Sequence, residues 1–255
     1  PYLWDAVKVL DSSDGSYYWY GIKYLGNKIY KIKDSDGTLS GPYGSKILFS
    51  TRSITFAAKN LYILDYDSYV SKNYIRKFSI DNPDTILDSW ELPNTFTGPT
   101  EIHITTSQQG QHDGSNDVSI LNNTAAFTDL SLSNGYVYNI TDGSGASISS
   151  NTSDTITATL SGGTDNDWDT NDYYWAGGVK MWVTYKAPDN YLDNDGYTAI
   201  ANFDYVGHTG LITITGRMPK LRGSGTTPQA GDWCKVTPVS YTHLRAHEIT
   251  QLRLK

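Results

Sequence analysis

The sequence predicts an all-β protein of antiparallel sandwich or barrel modules, its N-terminal part a β-meander or a partial propeller-like repeat. Three observations carry that prediction. Composition is the first: charged residues are 18% of the 255, aromatics 13%, and there are 23 Gly and 20 Tyr. Helices draw on Ala, Leu, Glu and Lys, whereas Tyr and Trp suit a pleated, half-buried surface, and Gly, Asn, Asp and Ser make turns. Strict alternation is the second. Val179, Met181, Val183 and Tyr185 fall on one face of a strand and Lys180, Thr184 and Lys186 on the other, with Trp182 the exception on the polar face. Turn chemistry is the third: Thr141-Asp142-Gly143-Ser144-Gly145 separates two alternating stretches, 136–140 and 146–149. Gly in an Asp-Gly pair accepts the positive φ of a tight hairpin.

Residues 1–92 read as the meander or propeller-like part. The segment 21–32 (GIKYLGNKIYKI) aligns with 53–64 (SITFAAKNLYIL), an offset of 32 residues from Gly21 to Ser53. Repeats at such spacing indicate propellers or solenoids. The second unit runs on through 74–81 (YIRKFSID) to Trp90, past a turn at Pro83. With the D-x-D-G turn Asp34-Ser35-Asp36-Gly37, these strands resemble blades of extracellular β-propellers. Residues 93–117 are poor in apolar positions and read as a linker or long loop, with a short strand at Glu101-Ile102-His103-Ile104.

From 118 to 237 the pattern is that of one or more antiparallel β modules. Strands are expected at 136–140, 146–149, 155–160, 173–175, 179–186, 199–206 and 211–215, with turn signals between them. Residues 231–237 (GDWCKVT) look like an entering strand. The next stretch, 239–248 (VSYTHLRAHE), resembles residue for residue one reading frame of a transposase-type sequencing adapter. That resemblance implies that 238–255 is an artefact to be excluded from fold reasoning. A start at Pro1 without Met then implies a fragment lacking both true ends.

Bulk properties narrow the function classes. A formal net charge of −7 opposes a phosphate-binding footprint, so no nucleic-acid partner is expected. No apolar run approaches the ~20 residues of a membrane span, so no membrane insertion is expected. A single cysteine, Cys234, allows no intrachain disulfide and, beside Trp233, reads as a small buried hydrophobe. There is no G-x-S-x-G, P-loop, H-E-x-x-H or C-x-x-C, and no catalytic residue is assigned.

Binding candidates come from two residue classes. Asp165, Asp167, Asp169 and Asn171 alternate along the chain, so their oxygens are candidate ligands for Ca²⁺. Thr170 and Ala176 stand where an EF-hand loop needs Gly and Glu, and the competing reading is an acidic turn whose Trp168 plugs the core. Asp193, Asp195 and Gly196, and the pair Asp34 and Asp36, are weaker versions of the signal. The aromatic runs around Tyr18 and Trp19, and around Tyr174 and Trp175, are candidate sugar-stacking platforms. The competing and favoured reading is that they are strand formers with one wet end. Glu101, His103, His112 and Asp113 have no spacing that matches a metal or acid–base site, and Arg217, Lys220 and Arg222 read as a solvated basic loop.

One resemblance bears on function. Phe127-Thr128-Asp129, the run 135–144 (GYVYNITDGS), the run 155–160 (TITATL) and 167–173 (DWDTNDY) look like a small β module of bacteriophage tail and virion structural proteins. It covers about 125–175, a fifth of the chain, and departs from the usual pattern with Asn134-Gly135 and Asn171-Asp172 where Gly-Asp is the rule. The motif consists of turns and core positions and so implies a module, not a chemistry. What it implies is a non-catalytic virion component, tail-associated, whose partners are other virion subunits or itself as a homo-oligomer, with a cell-surface glycan as candidate ligand. A secreted or cell-surface bacterial protein with propeller-like and carbohydrate-binding modules is the alternative. Either role places the chain in a virion or outside the cell.

Overall fold

Short polar turns and alternating strands build one arrangement three times over. The computed structural model describes residues 3–23, 25–44, 48–92, 99–104, 107–124, 126–127, 132, 135–185, 197–204 and 216–219. Among them there is no helix, and every strand pairing is antiparallel. The first meander is β1 (Asp5–Asp11), β2 (Ser16–Ile22), β3 (Ile29–Lys33) and β4 (Leu39–Tyr43), paired in that order. Its first turn shows how sequence makes a hairpin. Asp11 Oδ1 accepts the Ser13 amide at 3.0 Å, and the Gly15 amide returns to the Asp11 carbonyl at 2.9 Å. Gly15 has φ 66°, a left-handed conformation that strains a side chain, and a Cβ there would stand 2.4 Å from the Tyr173 hydroxyl, so glycine is favoured.

The second meander is β5 (Thr51–Ala57), β6 (Asn60–Asp67), β7 (Lys72–Ser79) and β8 (Ile86–Glu91). The third begins with β9 (Pro99–Ile104), and its remaining strands lie far downstream. Between them run β10 (Ser107–Gln111), β11 (Ile120–Asn122), β12 (Tyr136–Asn139), β13 (Gly145–Ser147), β14 (Ser150–Asn151), β15 (Thr155–Thr157) and β16 (Tyr173–Gly177). Then β17 (Lys180–Tyr185), β18 (Tyr197–Asp204) and β19 (Gly216–Pro219) complete a sheet of order β19-β18-β17-β9. The third meander thus has the connectivity of the first two, with a module inserted between its first and second strands.

The meanders stack in series. Strand β5 packs between β1 and β9. Asp5 Oδ2 accepts the Ser53 hydroxyl at 2.7 Å and the Ile54 amide at 2.9 Å, and Ser53 Oγ in turn accepts the Ile102 amide at 3.1 Å. These links join positions 48 and 49 residues apart. The sequence repeat at 32 is therefore out of phase: it pairs β2–β3 with β5–β6, because any strand–turn–strand resembles any other locally. Val9, Tyr20, Ile22, Ile54, Phe56, Ile63, Ile75, Ile102, Ile104, Met181 and Val183 share one core across all three sheets.

The inserted module has a separate core. Sheets β10-β16-β12-β13 and β11-β15-β14 enclose Leu121, Phe127, Val137, Ile156, Trp168 and Tyr174. The pairing of Ile104 with Met181 continues as Ser107 with Gly177, so β10 and β16 are the stalk on which the module stands. It is also docked sideways. Gln109 Oε1 accepts the Leu10 amide at 2.8 Å and its Nε2 donates to the Lys8 carbonyl at 3.0 Å, so one side-chain amide pairs with the edge of β1 as a strand would.

Two expectations about organisation read differently in the fold. The stretch 93–117 holds two strands, β9 and β10, whose partners lie some seventy residues downstream. The stretch 118–237 divides: β11 to β16 belong to the insert, whereas β17 to β19 pair with β9. The short strand expected at 101–104 is β9, whereas low local hydrophobicity hid β10, and no local signal announces a pairing at that separation. Of the expected strand 179–186, Met181 and Val183 are fully buried, as the alternation requires. Residues 220–255, which contain Lys220, Arg222, Trp233, Cys234 and the adapter-like stretch, lie outside the described residues, as do Asp193, Asp195 and Gly196.

Candidate functional site

The acidic turn is organised by one buried asparagine. Asn139 ends β12, and its Oδ1 accepts the amides of Thr141 at 3.0 Å and Asp142 at 3.3 Å. Its Nδ2 donates to the Asp167 carbonyl at 2.9 Å and to Asp172 Oδ2 at 2.7 Å, and that oxygen also accepts the Asp169 amide at 2.9 Å. Asp142 Oδ1 accepts the Ser144 amide at 2.6 Å, and Oδ2 accepts the Asn166 amide at 3.0 Å. The loop carrying Asp165, Asp167 and Asp169 is thereby pinned against the Asp-Gly hairpin.

The three carboxylates among the four predicted cation ligands converge. Carboxylate oxygens of Asp165, Asp167 and Asp169 lie within 4.8 Å of one another. Asn171 ends the loop with its backbone fixed: with φ 78° it donates its amide to the His112 carbonyl at 2.9 Å and accepts Gln111 Nε2 on its own carbonyl at 2.9 Å. Burial opposes the charge on Asp142, but hydrogen bonds from Ser144, the contact with Asp165 and the Asn166 amide outweigh it and hold the carboxyl below its usual range. Asp165 moves the other way, raised first by its bond to Asp142, then by partial desolvation and the neighbouring Asp167 charge. Crowded oxygen ligands of this type suit a hard cation. The same residues also serve as turn formers around Trp168, which is fully buried and hydrogen-bonds through its amide to the Asp117 carbonyl at 2.8 Å.

The aromatic candidates divide sharply. Tyr174 and Trp175 have no exposed surface; Tyr174 belongs to the insert core and Trp175 to the core of the meanders. Neither ring can meet a sugar, a correction to the sequence reading. The reason is that β16 is buried on both faces, Tyr174 toward the insert core and Trp175 toward the core of the meanders. Tyr18 and Trp19 are neighbours on β2 and point to opposite faces. Tyr18 donates to Asp14 at 2.8 Å and has Lys31 Nζ 4.0 Å from its ring centre, facing the core side. Trp19 is 38% exposed on the outer face, donating to Asp34 Oδ1 at 2.6 Å. Beside it, Lys8 Nζ lies 2.7 Å from Asp34 Oδ2 and 4.8 Å from the centre of the Tyr17 ring. Asp34 thus serves an ion pair, while Asp36 caps its turn by accepting the Thr38 amide at 2.8 Å.

Among the described residues, no histidine belongs to a group of ligands that could hold a metal ion. Glu101 and His103 lie on β9. His112 is fully buried in the insert, accepting the Asn122 amide on Nδ1 at 3.0 Å, with Nε2 3.0 Å from the Ser115 carbonyl. Asp113 is occupied by the Thr124 amide and hydroxyl, at 3.0 and 3.1 Å. Arg217 stands on β19, and nothing further is described of that basic cluster.

Two structural devices escaped the sequence reading. Asp65, fully buried, accepts the Phe49 and Ser50 amides at 3.1 and 2.8 Å and pairs with Arg76 Nε at 2.8 Å, while Arg76 reaches Asp67 at 3.4 Å. A charged residue directly after an apolar run (Asp65 in LYILD) was the signal for it. Gln109 carried no such signal, since polar residues in a polar stretch look like loop. No protein-family model matches the chain, and no curated protein is significantly similar to it.

Proposed function

We propose that the chain is a non-catalytic structural and binding component of a phage virion, associated with the tail, in which consecutive meanders act as propeller-type blades and hold the inserted module outward. Support comes from the place of the virion-type motif in the fold. Its residues build the insert: Val137, Ile156 and Trp168 fill the core, and Asn139 and Asp142 fix the turns. A rigid array carrying a second, separately cored module on a two-strand stalk suits a spacer that presents one surface at a distance. In this reading the chain works in the virion or outside the cell, and its partners are other virion subunits or copies of itself.

Peptide mass spectrometry of particles purified on a density gradient tests this proposal. Peptides of residues 1–219 should band with capsid and tail proteins. Recovery only from the soluble secreted fraction would overturn it.

One observation favours the second reading, a secreted or surface bacterial protein that binds carbohydrate. Tyr17 and Trp19 present exposed aromatic surface two positions apart on β2, beside the charged pair Lys8 and Asp34. A glycan array with the full chain and Trp19→Ala decides it: sugar binding that disappears in the variant supports this reading, and an array without signal removes it.

A further inference from the structure

The insert is charged in one sense only. From Ser107, where β10 begins, to Gly177, where β16 ends, the sequence holds nine aspartates and no Glu, Lys or Arg. Its single histidine, His112, is buried and accepts a backbone amide. The insert therefore has no basic side chain of its own with which to neutralise a gathering of carboxylates. Among the described residues, Asp165, Asp167 and Asp169 are the one such gathering of potential metal ligands, their oxygens within 4.8 Å of one another.

Two asparagines hold that group in place. Asn139 fixes the Asp167 carbonyl from the end of β12. Asn116, in the loop after β10, donates to Asp169 Oδ1, and its own Oδ1 accepts the Thr170 amide at 3.2 Å. Crowding by itself would make these residues no more than an Asp-rich turn. The feature that points to a ligand is Asp167 Oδ1, an atom that is buried and that no donor reaches. A buried carboxylate oxygen without a partner keeps its desolvation cost, and a bound cation removes it.

We propose that Asp165, Asp167 and Asp169 bind one Ca²⁺, which fixes the 163–169 loop on the insert and braces the Trp168 plug of its core. Oxygens at about 2.3–2.6 Å from Ca²⁺ stand up to about 5 Å apart across the ion. One ion thus reaches all three carboxylates where they are, and water completes its shell. Mg²⁺, at about 2.0–2.1 Å, spans only about 4 Å and gives up its waters reluctantly. The Asp142 carboxyl lies against Asp165, so the ion also offsets the repulsion between this loop and the Asp-Gly hairpin. Asp165 is exposed and its two companions are half-buried. A site so open to water belongs with the weak calcium sites of extracellular modules, at about 0.1–1 mM. The inference stands apart from the virion reading, because binding is measured on the free chain whether or not that chain bands with particles.

Calorimetric titration of the chelator-treated full chain with CaCl₂ tests it. One ion per chain should bind with a dissociation constant of about 0.1–1 mM, and the melting temperature should rise as Ca²⁺ is added. Asp165→Asn and Asp167→Asn should each weaken binding at least tenfold. Asp154→Asn, an exposed aspartate elsewhere on the insert, should bind as the wild type does. Hydrogen exchange of the unaltered protein gives a second readout should a variant fail to fold: Ca²⁺ should slow the amides of 163–172 more than those of β5 and β6. Absence of binding up to about 10 mM CaCl₂, ten times the weakest constant expected, overturns the proposal. An equal rise in melting temperature with MgCl₂ does so too. Equal weakening in all three variants would also overturn it, since the ion would then only screen a diffuse acidic surface.

Discussion

At the scale of residues, the most consequential side chains are the buried charges that no turn or surface explains. Arg76 and Asp65 sit in the middle of the stack, and removing one partner leaves the other charge enclosed. Arg76→Ala should cost about 3–5 kcal/mol in denaturant unfolding, since an unpaired buried ion keeps its desolvation penalty. On the first hairpin, the Tyr18 hydroxyl, helped by the Ser16 amide and Lys33, holds Asp14 at about 2. Asp11 is lowered as well: burial opposes its charge, and Lys31 with Ser13 outweighs the burial. A depressed carboxyl stabilises the fold above its unfolded value and loses that contribution as pH falls through the folded one. The β1–β2 hairpin should therefore lose support between pH 3.8 and about 2, read as loss of near-ultraviolet circular dichroism from Tyr17, Tyr18 and Trp19. Asp165 has the opposite sign. Its raised carboxyl means that its charge is resisted, so Asp165→Asn should raise the melting temperature in metal-free buffer, and a fall would show that the charge is needed. The three Asp residues were legible as a group because alternation is a local property.

At the scale of elements, the instructive strand is β10. Its sequence, SQQGQ, has no apolar alternation, yet it is the stalk of the insert and its lateral anchor. Gln109→Ala should destabilise the protein by about 1–3 kcal/mol, because Leu10 N–H and Lys8 C=O lose their partner in a partly buried place. Amide exchange should quicken at Leu10 before it changes at β5 or β6, and uniform acceleration would argue against a docking role. Strand β16 teaches the complementary lesson. Tyr173-Tyr174-Trp175 has the composition of an exposed aromatic platform, and burial on two sides converts it into core. Composition reports what a side chain can do; only the neighbours on each face say whether it is free to do it.

At the scale of the molecule, one core runs through three meanders and a second lies within the insert. The insert enters and leaves through adjacent antiparallel strands, so its excision need not disturb the series. Replacing residues 105–180 with Asn-Gly would close β9 and β17 as a tight hairpin at the paired positions Ile104 and Met181. The shortened chain should still unfold cooperatively, with a smaller denaturant m-value in proportion to the lost surface. Loss of cooperative unfolding would mean that the insert is needed to hold the first meander to the rest, through Gln109, Ile140 and Trp175.

The sequence by itself determined the β class, the hairpin turns, the alternation of Met181 and Val183, and the gathering of three aspartates, because each depends on residues near one another along the chain. Tertiary structure decided the phase of the repeat, the insertion of one module inside the third meander, the burial of Tyr174 and Trp175, and the exposure of Trp19. Those outcomes depend on which sheet lies across a given face, and a strand's own residues state only that it has two faces to cover.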